Sequence, residues 1–186
     1  MLSEKFSHFL DKPLTPLARV LSINPNILTF IGMIITSTGG IIIPHNLFVG
    51  GLVILLGGFF DLLDGVVARV NGRVTKFGAL LDSTLDRIAD GFIFLGIVYY
   101  YFKKNDSDGI IISLLCMIAS FLISYIRARA EGVGLQCKVG IIERPERLIF
   151  ISFGCITSLL YPVLIILSVL SWITVLQRIF YVKKQQ

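Results

Sequence analysis

Charge is scarce in this chain. Only 16% of its 186 residues are Asp, Glu, Lys or Arg, and 55% are hydrophobic. An ordinary soluble domain has roughly 25% charged and 45–50% apolar residues. The shortage excludes a water-soluble globule, which has no room to hide so much apolar surface. It excludes intrinsic disorder too, which needs the opposite bias. Cysteine is also rare. Cys116, Cys137 and Cys155 are odd in number and lack metal-ligand spacing, so they form neither a disulfide framework nor a zinc site and read as packing residues. The first 21 residues hold no unbroken apolar stretch and no small-residue cleavage site, unlike a signal peptide. There Phe6, Phe9, Leu10, Leu14 and Leu17 mix with Glu4, Lys5, Asp11, Lys12 and Arg19, and Pro13 and Pro16 break the segment. That pattern predicts a short amphipathic segment lying in a membrane interface.

Long apolar runs are what the chain does have. They predict an all-α integral membrane protein, a single domain over residues 1–186. Its spans fall at about 27–43, 47–70, 77–102, 110–130, 148–161 and 163–182, with Pro162 separating the last two. The net charge of +5 suggests nucleic acid in a soluble protein; here it reads as a membrane surface and anionic ligands. All of the 17 basic residues except Arg87, Lys103 and Lys104 fall at the termini, in the second-to-third connection or in the fourth-to-fifth connection. These lie on one side of the predicted bundle. The asymmetry predicts both termini on the cytosolic side of the cell membrane.

The acidic residues are placed differently. Asp61 and Asp64 lie inside the second span, and Asp82, Asp86 and Asp90 inside the third. Carboxylates in a span are costly and face a bundle interior or a water-filled cavity. Spacings of three and four put Asp61 with Asp64, and Asp82 with Asp86, on one helix face each. The short connection makes the two helices antiparallel neighbours, able to bring four carboxylates to one depth in the cytosolic half. A divalent cation or two compensates that charge, and an all-oxygen site suits Mg²⁺ or Mn²⁺. Gly65 and Gly78 beside the acids allow close approach, and Arg69 is in reach of a phosphate. Structural ion pairs, such as Asp90 with Arg87, and the proton relay of a small ion-coupled transporter are the alternatives. No role for Asp90 follows from the sequence.

These residues resemble the signature of the CDP-alcohol phosphotransferase family, D-x2-D-G-x2-A-R-x8-G-x3-D-x3-D. It is matched by Asp61, Asp64, Gly65, Ala68, Arg69, Gly78, Asp82 and Asp86. The resemblance implies six transmembrane helices with an N-terminal interfacial helix, assembled as a homodimer. It implies transfer of a phosphatidyl-type group from a CDP-linked lipid to an acceptor hydroxyl, with release of CMP. Two Mg²⁺ ions would be held by Asp61, Asp64, Asp82 and Asp86, with Asp86 also the base for the acceptor proton. Asn26, Thr29, Gly65, Arg69 and Thr75 would contact the CDP-lipid. Asn24 and Pro25 also read as an ordinary helix start.

The stretches Ser124–Glu131 and Glu143–Arg147 supply four arginines at the cytosolic mouth. Some of these serve orientation and snorkelling. Arg127, Arg147 and Arg178 near span ends suit a phosphorylated acceptor. The stretch is similar to the phosphatidylinositol phosphate and archaetidylinositol phosphate synthase branch, which implies that Ser124, Arg127, Arg147 and Arg178 contact the phosphate of inositol 1-phosphate. Glycerol 3-phosphate is the rival acceptor. No nucleic-acid partner is expected, and the sequence does not separate ester from ether lipid donors.

Overall fold

The computed structural model describes Thr15, Pro16, Ala18 and residues 24–185. The rest of the predicted interfacial segment lies outside the described residues. Those three N-terminal residues have helical backbone, and Ala18 is fully buried against Leu28, Leu63, Val66 and Val67.

Six helices follow: α1 (Pro25–Ile42), α2 (Leu47–Val70), α3 (Lys76–Lys103), α4 (Ser107–Gly132), α5 (Arg144–Ile156) and α6 (Leu160–Lys183). Polar caps start most of them. Asn24, Asn46, Thr75 and Asp106 side chains accept from the amides of Asn26, Val49, Gly78 and Gly109 at 2.8–3.1 Å. Each satisfies an amide that the first helical turn leaves open. At α5 the Glu146 carboxylate accepts from the Glu143 amide at 3.1 Å, with Pro145 in the first turn. Four helices, α1, α2, α4 and α6, are long and apolar enough to cross a membrane. Helix α3 carries too many charges for that criterion, and the 13 residues of α5 span only about 20 Å. Large apolar side chains on the outside, among them Phe30, Leu52, Leu95, Ile118 and Val169, are 45–59% exposed. Water is a poor solvent for such a surface and lipid a good one.

Each helix packs extensively against two others. Helix α1 packs on α2 and α3, α4 on α3 and α6, and α5 on α2 and α6. The six therefore close into a ring. This revises the expected pairing of the two acidic helices: α2 and α3 are not one of the extensively packed pairs, because α1 lies between them. Gly40 and Gly96 explain the position of α1. A Cβ at Gly96 would run into the Gly40 carbonyl, and one at Gly40 would lie 2.7 Å from the Phe92 carbonyl carbon. Only a glycine pair lets α1 and α3 approach so closely.

The fifth span is also revised. It begins at Arg144 and stops at Ile156, rather than covering 148–161. The turn to α6 is made by residues 157–159, with Ser158 at φ 59°. Pro162 does not separate the two helices; it sits in the first turn of α6, where its missing N–H leaves no bond unmade.

Candidate active site

Helix α2 contributes Asp61 and Asp64, and α3 contributes Asp82. Each offers one carboxylate oxygen, and these oxygens lie within 4.8 Å of one another. Three of the four acids expected together thus meet, although their two helices do not pack extensively on each other. Asp64 is buried, and its Oδ2 has no hydrogen-bond partner. A buried carboxylate oxygen left without a partner costs free energy. Three carboxylate oxygens this close together suit a hard divalent cation. Asp86 lies outside this triplet. Its Oδ1 is 2.8 Å from Arg144 Nη1 and its Oδ2 is 3.1 Å from Arg87 Nη2.

On one flank of the carboxylates stands the start of α1. Thr29 is buried beside Asp64, its hydroxyl donating to the Pro25 carbonyl at 3.0 Å. A Cβ at Gly78 would lie 3.0 Å from Thr75 Oγ1 and 3.2 Å from Asn26 Oδ1. The bare glycine thus brings Asn26 and Thr75 together across α1 and α3. The nearest side chain to Gly65 is Arg69, whose Nη1 would be 3.2 Å from a Cβ there. The five residues assigned from sequence to the CDP-lipid belong to α1, α2 and the cap of α3, and Thr29 is the one whose side chain the structure sets beside an acid of the cluster.

On the other flank is a cavity of about 880 Å³. Asp82, Asp86, Ser124, Arg127, Arg147 and Arg178 all line it. The four residues assigned from sequence to an acceptor phosphate thus share one space with two of the acids. Their freedom differs. Arg127 is 44% exposed and pairs with Glu131 at 3.1 Å. The Ser124 hydroxyl donates to Ser120 O at 3.4 Å. Arg178 is 2% exposed; its Nε donates to Val139 O at 2.8 Å, its Nη1 to Ile123 O, and its Nη2 to Glu143 at 3.2 Å. Arg147 is equally buried and donates to Asp90 at 2.8 Å.

Two participants escaped sequence reasoning. Arg144 reaches Asp61, Asp86 and Asp90 at 2.7, 2.8 and 3.3 Å. Glu143 pairs with Arg178 at 3.2 Å and lies 3.8 Å from Arg127. The signal for Arg144 was its spacing of three from Arg147 in the first turn of a helix, which puts both on one face.

The model of the CDP-alcohol phosphatidyltransferase family matches residues 22–180. A phosphatidylinositol phosphate synthase of Mycobacteroides abscessus is 44% identical over 146 residues, 74% of this chain and 66% of that protein. The match thus spans just under two thirds of that relative. An archaetidylinositol phosphate synthase of Methanothermobacter thermautotrophicus is 35% identical, over 96% of this chain and 92% of its own. The phosphatidylinositol phosphate synthase of Mycobacterium tuberculosis has been solved with CDP-DAG bound. That structure superposes with a TM-score of 0.84 at 39% identity, covering 91% of this chain and 92% of that one. The same protein in complex with manganese and citrate gives a TM-score of 0.85 at 38% identity, covering 91% and 88%.

Proposed function

The chain belongs to the CDP-alcohol phosphatidyltransferase family, and from that footing we propose that it moves a phosphatidyl-type group from a CDP-lipid to a hydroxyl of inositol 1-phosphate, releasing CMP. The family is one of enzymes, so the ion-coupled transporter reading falls away. The observation that carries the acceptor is the cavity in which Arg127, Arg147 and Arg178 share one space with Asp82 and Asp86. A bare polyol has no use for that much positive charge; a phosphorylated one does. The names of the relatives agree.

Asp61, Asp64, Asp82 and Asp86 would hold two divalent ions, Mg²⁺ or Mn²⁺. Such ions supply Lewis-acid charge for the pyrophosphate and the departing CMP. Asn26, Thr29, Gly65, Arg69 and Thr75 hold the CDP end of the donor. Ser124, Arg127, Arg147 and Arg178 hold the acceptor phosphate, which brings the reacting hydroxyl to the carboxylate face of α3. Asp86 takes the hydroxyl proton. A carboxylate among cations is a weak base, so its contribution comes as much from position as from basicity. The donor is a CDP-lipid of the diacylglycerol or archaeol type, both chains making the same apolar demand on the ring.

In the bilayer all six helices insert as one domain, α3 shielding its charges inside the ring. Both termini and the site face the cytosol of the cell membrane, and the chain works as a homodimer. The test is CMP release by the purified protein with Mg²⁺ and a CDP-lipid, comparing inositol 1-phosphate, glycerol 3-phosphate and free inositol. Turnover fastest with inositol 1-phosphate supports the proposal. Preference for glycerol 3-phosphate moves the assignment to that acceptor, and equal use of free inositol rejects the phosphate pocket.

A further inference from the structure

Asp90 lies one turn beyond Asp86 on α3, and neither metal binding nor proton transfer gives it a task. Its side chain is 3% exposed, and a carboxylate at that place in an apolar bundle is costly unless compensated. Both of its oxygens are engaged. Oδ1 accepts from Arg144 Nε at 3.3 Å, and Oδ2 accepts from Arg147 Nη2 at 2.8 Å.

Both arginines line the acceptor cavity, and they differ in what else they touch. Arg144 presents Nη1 to Asp61 Oδ2 at 2.7 Å and to Asp86 Oδ1 at 2.8 Å. Arg147 forms part of the cavity wall beside Ser124 and Arg127. Both sit at the start of α5, three residues apart on one helix face. Asp90 is the only carboxylate that touches both among the described ion pairs. A buried ionic group of this kind is weak evidence for stability, because desolvation offsets the Coulombic gain. Its geometry is better suited to holding its partners in place.

We propose that Asp90 is a positioning residue: through Arg147 it fixes the cationic wall of the acceptor cavity, and through Arg144 it ties that wall to Asp61 and Asp86. The assignment rests on the acceptor reading given above. It separates two tasks on one helix, with Asp82 and Asp86 at the reacting groups and Asp90 behind them setting the distance to the acceptor phosphate.

The experiment uses the full chain in lipid nanodiscs as wild type, Asp90→Asn, Asp90→Glu, Arg147→Lys and the double variants. Calorimetry measures binding of inositol 1-phosphate in Mn²⁺ without CDP-lipid, and steady-state kinetics give KM for each substrate. In Asp90→Asn, inositol 1-phosphate affinity falls and its KM rises about tenfold or more, while KM for CDP-lipid stays within about twofold. Combining Asp90→Asn with Arg147→Lys costs less than the product of the single effects. Should Asp90→Asn not fold, the same split is read on Asp90→Glu, which keeps the charge and lengthens its arm. A lower unfolding temperature with both KM values unchanged, or equal rises in the two, makes Asp90 a plain structural ion pair and overturns the proposal. A wild-type protein that neither binds nor uses inositol 1-phosphate instead brings down the acceptor reading beneath it.

Discussion

Arg144 Nη1 lies 2.7 Å from Asp61 Oδ2, joining the first turn of α5 to the middle of α2. Arg144 is 9% exposed, and the same nitrogen is 2.8 Å from Asp86. Removing the guanidinium leaves the Asp61 and Asp86 carboxylates without the cation they share. Breaking a buried pair from one side costs about 3–5 kcal/mol. Arg144→Ala is therefore expected to lower stability by that order, and Arg144→Lys by less, since the ammonium keeps the charge although it cannot reach Asp61, Asp86 and Asp90 together. Thermal unfolding in detergent measures both. An Arg144→Ala protein as stable as wild type would mean that the pairs are not formed in the membrane-extracted protein.

The oxygen triplet of Asp61, Asp64 and Asp82 makes a second expectation. Asp82→Asn removes one anionic donor and leaves the shape of the side chain. Turnover with every acceptor should fall by about a thousandfold or more, because loss of electrostatic stabilisation at the reacting group acts on kcat. Chelation of divalent ions should abolish turnover reversibly, with Mn²⁺ restoring it. Activity assays after dialysis, and Mn²⁺ binding by electron paramagnetic resonance, check both statements. Undiminished Mn²⁺ binding by Asp82→Asn would remove it from the ligand set.

Arg127 and Arg178 line one cavity but are predicted to fail differently. Arg178 is 2% exposed and donates to the carbonyls of Val139 and Ile123. Arg178→Ala should cost about 3 kcal/mol of stability through those unpaired acceptors and the lost packing. Arg127 is 44% exposed and its pair with Glu131 is a surface contact, worth less than about 1 kcal/mol. Arg127→Ala should leave folding alone and raise KM for inositol 1-phosphate about tenfold. Unfolding curves and acceptor titrations on both variants separate the two. A stable Arg178→Ala protein with only an acceptor defect would show that Arg178 serves the phosphate first.

That contrast shows where sequence reasoning reached and where it stopped. The carboxylate face was legible because five acids at helical spacing stand out against an apolar background, and their chemistry leaves few tasks. The burial of Arg178 was not, since a basic residue near a span end looks the same whether it snorkels, binds phosphate or staples a loop. Helix α5 hid its first turn because Glu143, Arg144 and Glu146 are charged, and hydropathy discards them. The ring order was out of reach for another reason. A short connection between α2 and α3 says that they are close in sequence, not that they touch, and the contact that inserts α1 between them depends on Gly40 and Gly96 meeting.

The glycine contact supplies the last expectation. A Cβ at Gly96 collides with the Gly40 carbonyl, and backbone on both sides leaves nothing flexible to yield. Gly96→Ala should destabilise by about 1–3 kcal/mol through overpacking, although alanine is the better helix former. Gly132 is the control: it ends α4, and a Cβ there meets nothing within 4 Å. Gly132→Ala should be neutral or stabilising by up to about 1 kcal/mol. The overpacking has a functional reach, because α3 carries Asp82, Asp86 and Asp90 on the face that α1 helps to set. Gly96→Ala should therefore also raise the Mn²⁺ concentration needed for half-maximal turnover, while Gly132→Ala should not. Unfolding temperatures and metal titrations on the two variants decide it. Equal stability for both alanines would mean that α1 and α3 do not cross at this glycine pair.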